Sequence, residues 1–504
     1  MSNTFMNGLK SATNIGYTEN GAVKRNTTQS DLLDMFALGG AYRSRSDDDC
    51  IVLFKKAFAE NPVYALKCLF YLGDCRGGQG ERRFFRVCFN WLAKNHTDAA
   101  RRNIENIPEY RRWDDLYCLV GTPLEKEMFT FMKKQLALDV QSKTPSLLAK
   151  WMKSENASNA ETRKLGEATA KAMGMTPRQY RKTLSILRSR INIVEKLMSE
   201  NRWDEIEFDK TPSKAGLIYK NALARRDMIK QKYETFIKDD KTKVNASVLN
   251  PVNIAHQIFN TYRADDIERA AWNKYWANLK DYYNGREENG LAIVDVSGSM
   301  SGIPLEAAVS MGAYIAERGY GPFKDHFVTF SGNPQLVRFE GVDTYDKFRR
   351  AISADWGMNT NIEAVFEMLL EVAIKNNCTQ EEIPQTLYIF SDMEFDGGCL
   401  TFGPRNTNSR WGTNVGEHFR MRSEGAVDTL LEKIACKWRS YGYELPRVIF
   451  WNLDARQDNI PALGERFSYI SGFSMAMIEQ VLSGKDGYDL MMDKLNTKRY
   501  EAVR

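Results

Sequence analysis

Asp295, Ser297 and Ser299 stand at alternate positions in Asp-Val-Ser-Gly-Ser and carry the most pointed chemistry in the sequence. A carboxylate and two hydroxyls with no His or Cys beside them are hard oxygen donors, suited to Mg²⁺ or another divalent cation rather than zinc. Before them, Leu291-Ala-Ile-Val294 follows Asn289-Gly290 and reads as a short, fully buried strand. After them, Ile303-Pro304-Leu305 opens a helix with Leu305, Ala308, Val309, Gly312 and Ile315 on one face and Gly319 as its stop. A D-x-S-x-S loop at the carboxyl end of a buried strand lies where open α/β sheets place ligands.

The elements that must position this loop alternate between strand and helix. His326 to Ser331 reads as a strand, Tyr345 to Ile352 and Ile362 to Lys375 as helices, and Thr386 to Phe390 as the next strand. Val427 to Tyr441 reads as a helix, Val448 to Trp451 as a strand, and Tyr469-Ile470 as the last strand. This alternation predicts a doubly wound, mostly parallel sheet. A polar Gly/Asn/Arg-rich insertion, 397–424, follows one strand and is expected to border the site, as a recognition loop or simply a mobile one.

The residues around Asp295 resemble the metal-ion-dependent adhesion site of von Willebrand factor A domains. That site draws on three loops, and two further strings match in order: Trp356-Gly-Met-Asn-Thr360-Asn361 for the second and Ser391-Asp392 for the third. The resemblance implies that Ser297 and Ser299 ligate Mg²⁺ directly, Thr360 does so in the ligand-ready state, and Asp295 and Asp392 act through bound waters. It also implies an open position for a partner's carboxylate. Glu394 and Asp396 exceed the minimal motif, and the sequence leaves two roles open for them: outer hydrogen bonds to the site, or a built-in acidic competitor.

The other half of the chain is helical and basic. Residues 1–250 hold 43 Lys and Arg against 30 Asp and Glu, whereas residues 251–504 hold 27 against 35. The first half is thus a candidate for polyanion binding. Residues 1–30 read as an arm or extended connection. From Asp31, which can cap the first helix, amphipathic segments of similar length follow one another, suggesting an α-solenoid of stacked, HEAT-like helix pairs. The Gly-rich stretch Asp74 to Arg83, with Arg76, Arg82 and Arg83, reads either as an inter-helix turn or as a phosphate contact. Residues 176–196 carry Arg178, Arg181, Lys182, Arg188, Arg190 and Lys196 with Glu195 the only acid. Arg178, Arg181, Lys182 and Arg188 can share one face, opposite Leu184, Leu187, Ile191 and Val194. Trp203, Trp272 and Trp276 read as interface packing or as stacking platforms for bases.

Arg76-Gly-Gly-Gln-Gly-Glu-Arg82, Arg112-Trp-Asp-Asp-Leu116 and Met175-Thr-Pro-Arg-Gln-Tyr-Arg-Lys182 look like the helical module of Ro-type (TROVE) proteins and their uncharacterised relatives, and the chain resembles the uncharacterised branch more than Ro itself. The resemblance runs from about residue 30 to 485. It implies a helical-repeat ring closed by an A domain, with structured small RNAs bound on a basic outer face and single-stranded ends in the hole. The expected division is an arm at 1–30, a helical domain at 31–285 and an A domain at 286–504. The expected function is a non-enzymatic, cytoplasmic RNA-binding scaffold, with a Mg²⁺-dependent module for an acidic protein partner as the alternative.

Eight cysteines without C-x-x-C spacing read as reduced core residues. No apolar run reaches the length of a membrane span, and the N-terminus has no secretory pattern. Four histidines outside any motif, with no Walker or zinc signature, argue against catalysis.

Overall fold

The structure, a computed structural model, describes residues 9–10, 13–191, 194–244, 246, 248–330, 334–353, 360–397 and 429–504. A hairpin comes first: β1 (Gly16–Tyr17) pairs antiparallel with β2 (Val23–Lys24). The helical half follows. Its first helix, Asp31–Leu38, is capped by Ser30 rather than Asp31: the Ser30 hydroxyl accepts the Leu33 N–H at 3.2 Å. Ser46 and Asp49 form a capping box for Asp47–Glu60, and Asn61-Pro62 opens Pro62–Gly73. Phe70 packs edge-on against Phe85, Phe89 and Tyr110, so successive helices share one aromatic seam.

The second half is an α/β domain. β3 (Gly290–Asp295), β4 (His326–Phe330), β5 (Gln335–Arg338), β6 (Thr386–Ser391), β7 (Arg447–Asn452) and β8 (Phe467–Ser471) form one sheet in the order β5-β4-β3-β6-β7-β8. Every pairing is parallel except β4 with β5. The chain leaves β3 to one side for β4 and returns to its other side for β6, so the order reverses between β3 and β6. Ligands of doubly wound sheets bind outside the carboxyl ends of the strands at such a reversal. The helix Ile303–Arg318 lies on β3 closely enough that a Cβ on Gly312 would sit 2.4 Å from Val294 Cγ2. Only glycine permits that approach.

One apolar core runs without a break from the helical half into the sheet, and a smaller one gathers around Trp203, Phe208 and Tyr233. The helical half touches the α/β domain at both of its ends. At the start, the helix Asp31–Leu38 packs on β8, where Ser471 Oγ donates to Phe36 O (3.0 Å) and accepts from Gly40 N–H (2.9 Å). At the finish, the helix Pro251–Phe259 packs on Ile303–Arg318, and Trp272 stacks on Tyr345 at 5.7 Å. Trp203, Trp272 and Trp276 are buried, so they pack interfaces and offer no face to a base. Among the described residues, no helix is long and apolar enough to cross a membrane.

Candidate metal centre and basic face

β3 and β6 are neighbours, and their register pairs Val294 with Phe390, so Asp295 and Ser391 end the two strands side by side. Asp295 is fully buried. Its Oδ1 accepts the Ser297 N–H (2.9 Å) and its Oδ2 accepts the Ser391 hydroxyl (2.5 Å). Ser297 Oγ and Ser299 Oγ lie 2.9 Å apart. Asp392, one residue beyond β6, is equally buried; its Oδ1 accepts the Glu394 N–H at 3.1 Å. Its Oδ2 is buried with no hydrogen-bond partner among the described residues.

Burial, then the charge of Asp392, pushes the Asp295 carboxyl up to about 7, against the pull of the Ser391 and Ser297 hydrogen bonds. Burial likewise raises Asp392, opposed by the neighbouring Ser299 hydroxyl, the Glu394 N–H and Arg456. Two buried carboxylates, an orphaned carboxylate oxygen and a pair of hydroxyls make an all-oxygen donor set short of positive charge. These residues fit Mg²⁺, which takes hard oxygen ligands and retains water. Among the described residues, no three His, Cys, Asp or Glu side chains gather at one point.

Thr360 is buried, and its N–H donates to Asp396 Oδ2 (3.1 Å) while Asp396 N–H donates back to Thr360 O (3.0 Å). Asp396 therefore ties the second loop to the third. Glu394 is held by Glu19 and Asn459. Both acids are thus engaged in hydrogen bonds that hold the loops together. The string Trp356 to Asn359 and the insertion from residue 398 to 424 lie outside the described residues. Sequence reasoning missed Arg456, whose guanidinium donates to Ser299 O, and missed the hairpin's place beside the third loop. Neither leaves a local signal, because each contact joins segments far apart in the chain.

The cationic residues divide into two groups. On the helix Pro177–Ile191, Tyr180, Leu184 and Leu187 face inward while Arg178, Arg181 and Lys182 are exposed. Arg181 also pairs with the buried Glu155. Arg188 departs from the face expected for it: Nε donates to Ala149 O (2.8 Å) and Nη2 to Met152 O (3.1 Å). It satisfies carbonyls at the end of the short helix Leu148–Trp151, which have no partners within their own helix. Arg190 is exposed and donates to Val140 O (2.8 Å).

The Gly-rich stretch is a closed turn. Gln79 N–H donates to Tyr71 O (3.2 Å), Gly80 N–H to Asp74 O (3.0 Å) and Glu81 N–H to Leu72 O (2.8 Å), so these amides are spent within the turn and cannot cradle a phosphate. Its arginines are engaged as well. Arg82 pairs with Asp114 (2.9 Å) and Asp115 (3.1 Å), Arg83 with Asp47 (2.6 Å), and Arg76 donates to Glu109 O. Arg76 and Arg82, with Arg43, Arg112 and Lys214, nevertheless line a cavity of about 430 Å³ between the helical half and the α/β domain.

The fold and these sites describe a two-part chain: a helical array followed by a doubly wound domain with a candidate cation site at its strand reversal. Residues 18–172 and 130–282 match the family described as a domain of unknown function (DUF2828), and together they span more than half of the sequence. The chain belongs to that family. Residues 289–502 match a second domain of unknown function (DUF7788). The chain is 29% identical over 517 residues to the uncharacterized protein L728 of Acanthamoeba polyphaga mimivirus, covering 94% of this chain and 85% of that protein. Among solved structures it is similar to the Deinococcus radiodurans RO (RSR) protein, with a TM-score of 0.48 and 14% identity over 93% of this chain and 99% of that one.

Proposed function

We propose that this chain is a non-enzymatic RNA-binding scaffold, related to Ro-type proteins, with a Mg²⁺-holding von Willebrand factor A-like domain. The observation that carries the RNA reading is the exposed cationic face of Arg178 and Lys182, beside the Glu155-paired Arg181, on a helix whose opposite face is buried. It lies in a half of the chain with a marked excess of Lys and Arg. Such a face binds phosphates by releasing counterions and reads no base, which suits a small RNA held by its backbone.

Asp295, Ser297, Ser299, Thr360 and Asp392 would hold the cation. When bound, Mg²⁺ offers a coordination position that a carboxylate can take. The orphaned Asp392 Oδ2 supports the cation, and the second reading is that an acidic protein partner docks on that cation at the α/β domain.

The test is binding of the purified chain to total small RNA across a salt series, with Mg²⁺ and with chelator. Tight binding that weakens steeply with salt and survives chelation is expected. Absence of binding at low salt overturns the RNA reading and leaves the Mg²⁺-dependent partner as the function.

A further inference from the structure

The turn between β1 and β2 is laid against the loop that carries Asp392. Thr18 Oγ1 donates to Phe395 O (2.7 Å), Asn20 Nδ2 to Glu394 O (2.7 Å) and Gly397 N–H to Asn20 O (2.9 Å), while Gly21 forms a bridge with Asp396. Beyond the turn, Lys24 Nζ donates to Asp458 O (2.8 Å) and Asn459 Oδ1 (2.5 Å), and Arg25 and Ile460 exchange both backbone hydrogen bonds. The start of the chain thus laces together two loops of the α/β domain, 392–397 and 454–460.

Glu394 is the knot in this lacing. It is 1% exposed, and a buried carboxylate needs donors on both oxygens. Oε2 takes the Glu19 N–H (2.9 Å) from the hairpin, and Oε1 takes Asn459 Nδ2 (2.7 Å) from the second loop. The same residue's N–H donates to Asp392 Oδ1 at 3.1 Å. This bond orients a carboxylate whose other oxygen has no partner among the described residues.

We infer that the hairpin is a working part of the cation site: Glu394, held by Glu19 and Asn459, is a positioning residue that fixes the Asp392 loop and thereby sets divalent-cation affinity. This rests on the Mg²⁺ reading above. Because coupling is reciprocal, the cation tightens the docking of the hairpin by the same factor that docking tightens the cation.

The experiment is calorimetric titration of MgCl₂ into the full chain and into three variants: Glu394→Gln, Thr18→Ala with Asn20→Ala, and Asn20→Ala alone. Asn20 is exposed, so the last variant keeps the fold intact while removing one tie. Hydrogen exchange over residues 18–25 is followed alongside, with and without MgCl₂. We expect Glu394→Gln to weaken Mg²⁺ binding by about tenfold and Asn20→Ala by a few-fold, within the ordinary range of coupling between sites. We also expect Mg²⁺ to slow exchange across the hairpin in the unaltered chain. Variants that bind Mg²⁺ as tightly as the unaltered chain, with only a lowered melting temperature, overturn the inference and leave the hairpin a simple strap. An unaltered chain that takes up no Mg²⁺ overturns the metal reading itself, and the inference falls with it.

Discussion

Ser391 Oγ donates to Asp295 Oδ2 at 2.5 Å, across the two strands between which the order of the sheet reverses. The hydroxyl fixes the carboxylate without neutralising it. With Asp392 one residue further on and also buried, the end of the sheet concentrates negative charge where water is excluded. Keeping both groups ionised there is costly unless a cation is supplied or a proton is taken up. Cation binding, protonation and stability are therefore linked at this point in the molecule.

The first prediction concerns pH. The Asp295 carboxyl sits at about 7 in the folded, metal-free chain, whereas an unperturbed aspartate titrates near 4. Between these values the folded state binds more protons than the unfolded state, so stability falls as pH rises. This contribution is fully present below about pH 4 and is lost as pH passes through about 7. Melting in chelator should therefore drop across that window by a few degrees, on the order expected for about 4 kcal/mol in a chain of this size. Mg²⁺ binds the ionised carboxylates and should flatten the slope. Superimposable melting profiles in chelator and Mg²⁺ would refute the linkage.

Asp392→Asn supplies a second prediction. Oδ2 has no hydrogen-bond partner among the described residues, so the substitution removes a buried charge at little hydrogen-bonding cost. The metal-free chain should gain about 1 kcal/mol, in line with the cost of an uncompensated buried charge. Mg²⁺ affinity should fall at least tenfold, and RNA binding should not change. Ser297→Ala with Ser299→Ala should likewise abolish Mg²⁺ binding, since it deletes both hydroxyl donors. A loss of RNA binding in either variant would show that the two sites are not separate.

Much of this site is legible in the sequence because its core is contiguous. β3, β6 and β7 are buried on both faces and read as unbroken apolar runs, as strands of a covered parallel sheet do. β5 does not: Gln335 to Arg338 is short, half-exposed and lies on the antiparallel edge, where no apolar run is required. The hydrogen bond from Ser391, the two-sided hold on Glu394 and the reach of Arg456 to Ser299 are set by where distant segments meet. Nothing in their neighbours along the chain encodes them. Arg188 is the instructive case on the helical side. Helical spacing places it with Arg181, but unpaired carbonyls at the end of an adjacent helix draw its guanidinium inward.

That division of the basic helix gives a third prediction. Arg188→Ala leaves the carbonyls of Ala149 and Met152 without their donors and should cost about 2 kcal/mol. It should leave the dependence of RNA affinity on salt unaltered. Arg178→Glu with Lys182→Glu, both exposed, should do the reverse, reducing the slope of log affinity against log salt by about 2, one for each phosphate that is no longer neutralised. Melting curves and a salt titration with small RNA distinguish the two. A shallower salt slope for Arg188→Ala would return that residue to the binding face.

The last prediction tests how the two halves are held together. Asp74 is fully buried at the end of the helix Pro62–Gly73, and its oxygens accept hydrogen bonds from the Arg499 guanidinium and, at 3.0 Å, from the Tyr500 hydroxyl. Arg499 and Tyr500 lie near the end of the α/β half, so this contact pins that segment to the helical half. Arg499→Ala removes the positive partner and leaves a buried carboxylate with a hydroxyl and the Arg76 N–H as its remaining donors. The expected cost is about 3 kcal/mol, typical of breaking one side of a buried ion pair. Arg499→Ala with Asp74→Asn should recover part of that loss, because the second change removes the stranded charge. Denaturant unfolding of the single and double variants reads both terms, and a single variant as stable as the unaltered chain would show that the pair does not bear on the union of the halves.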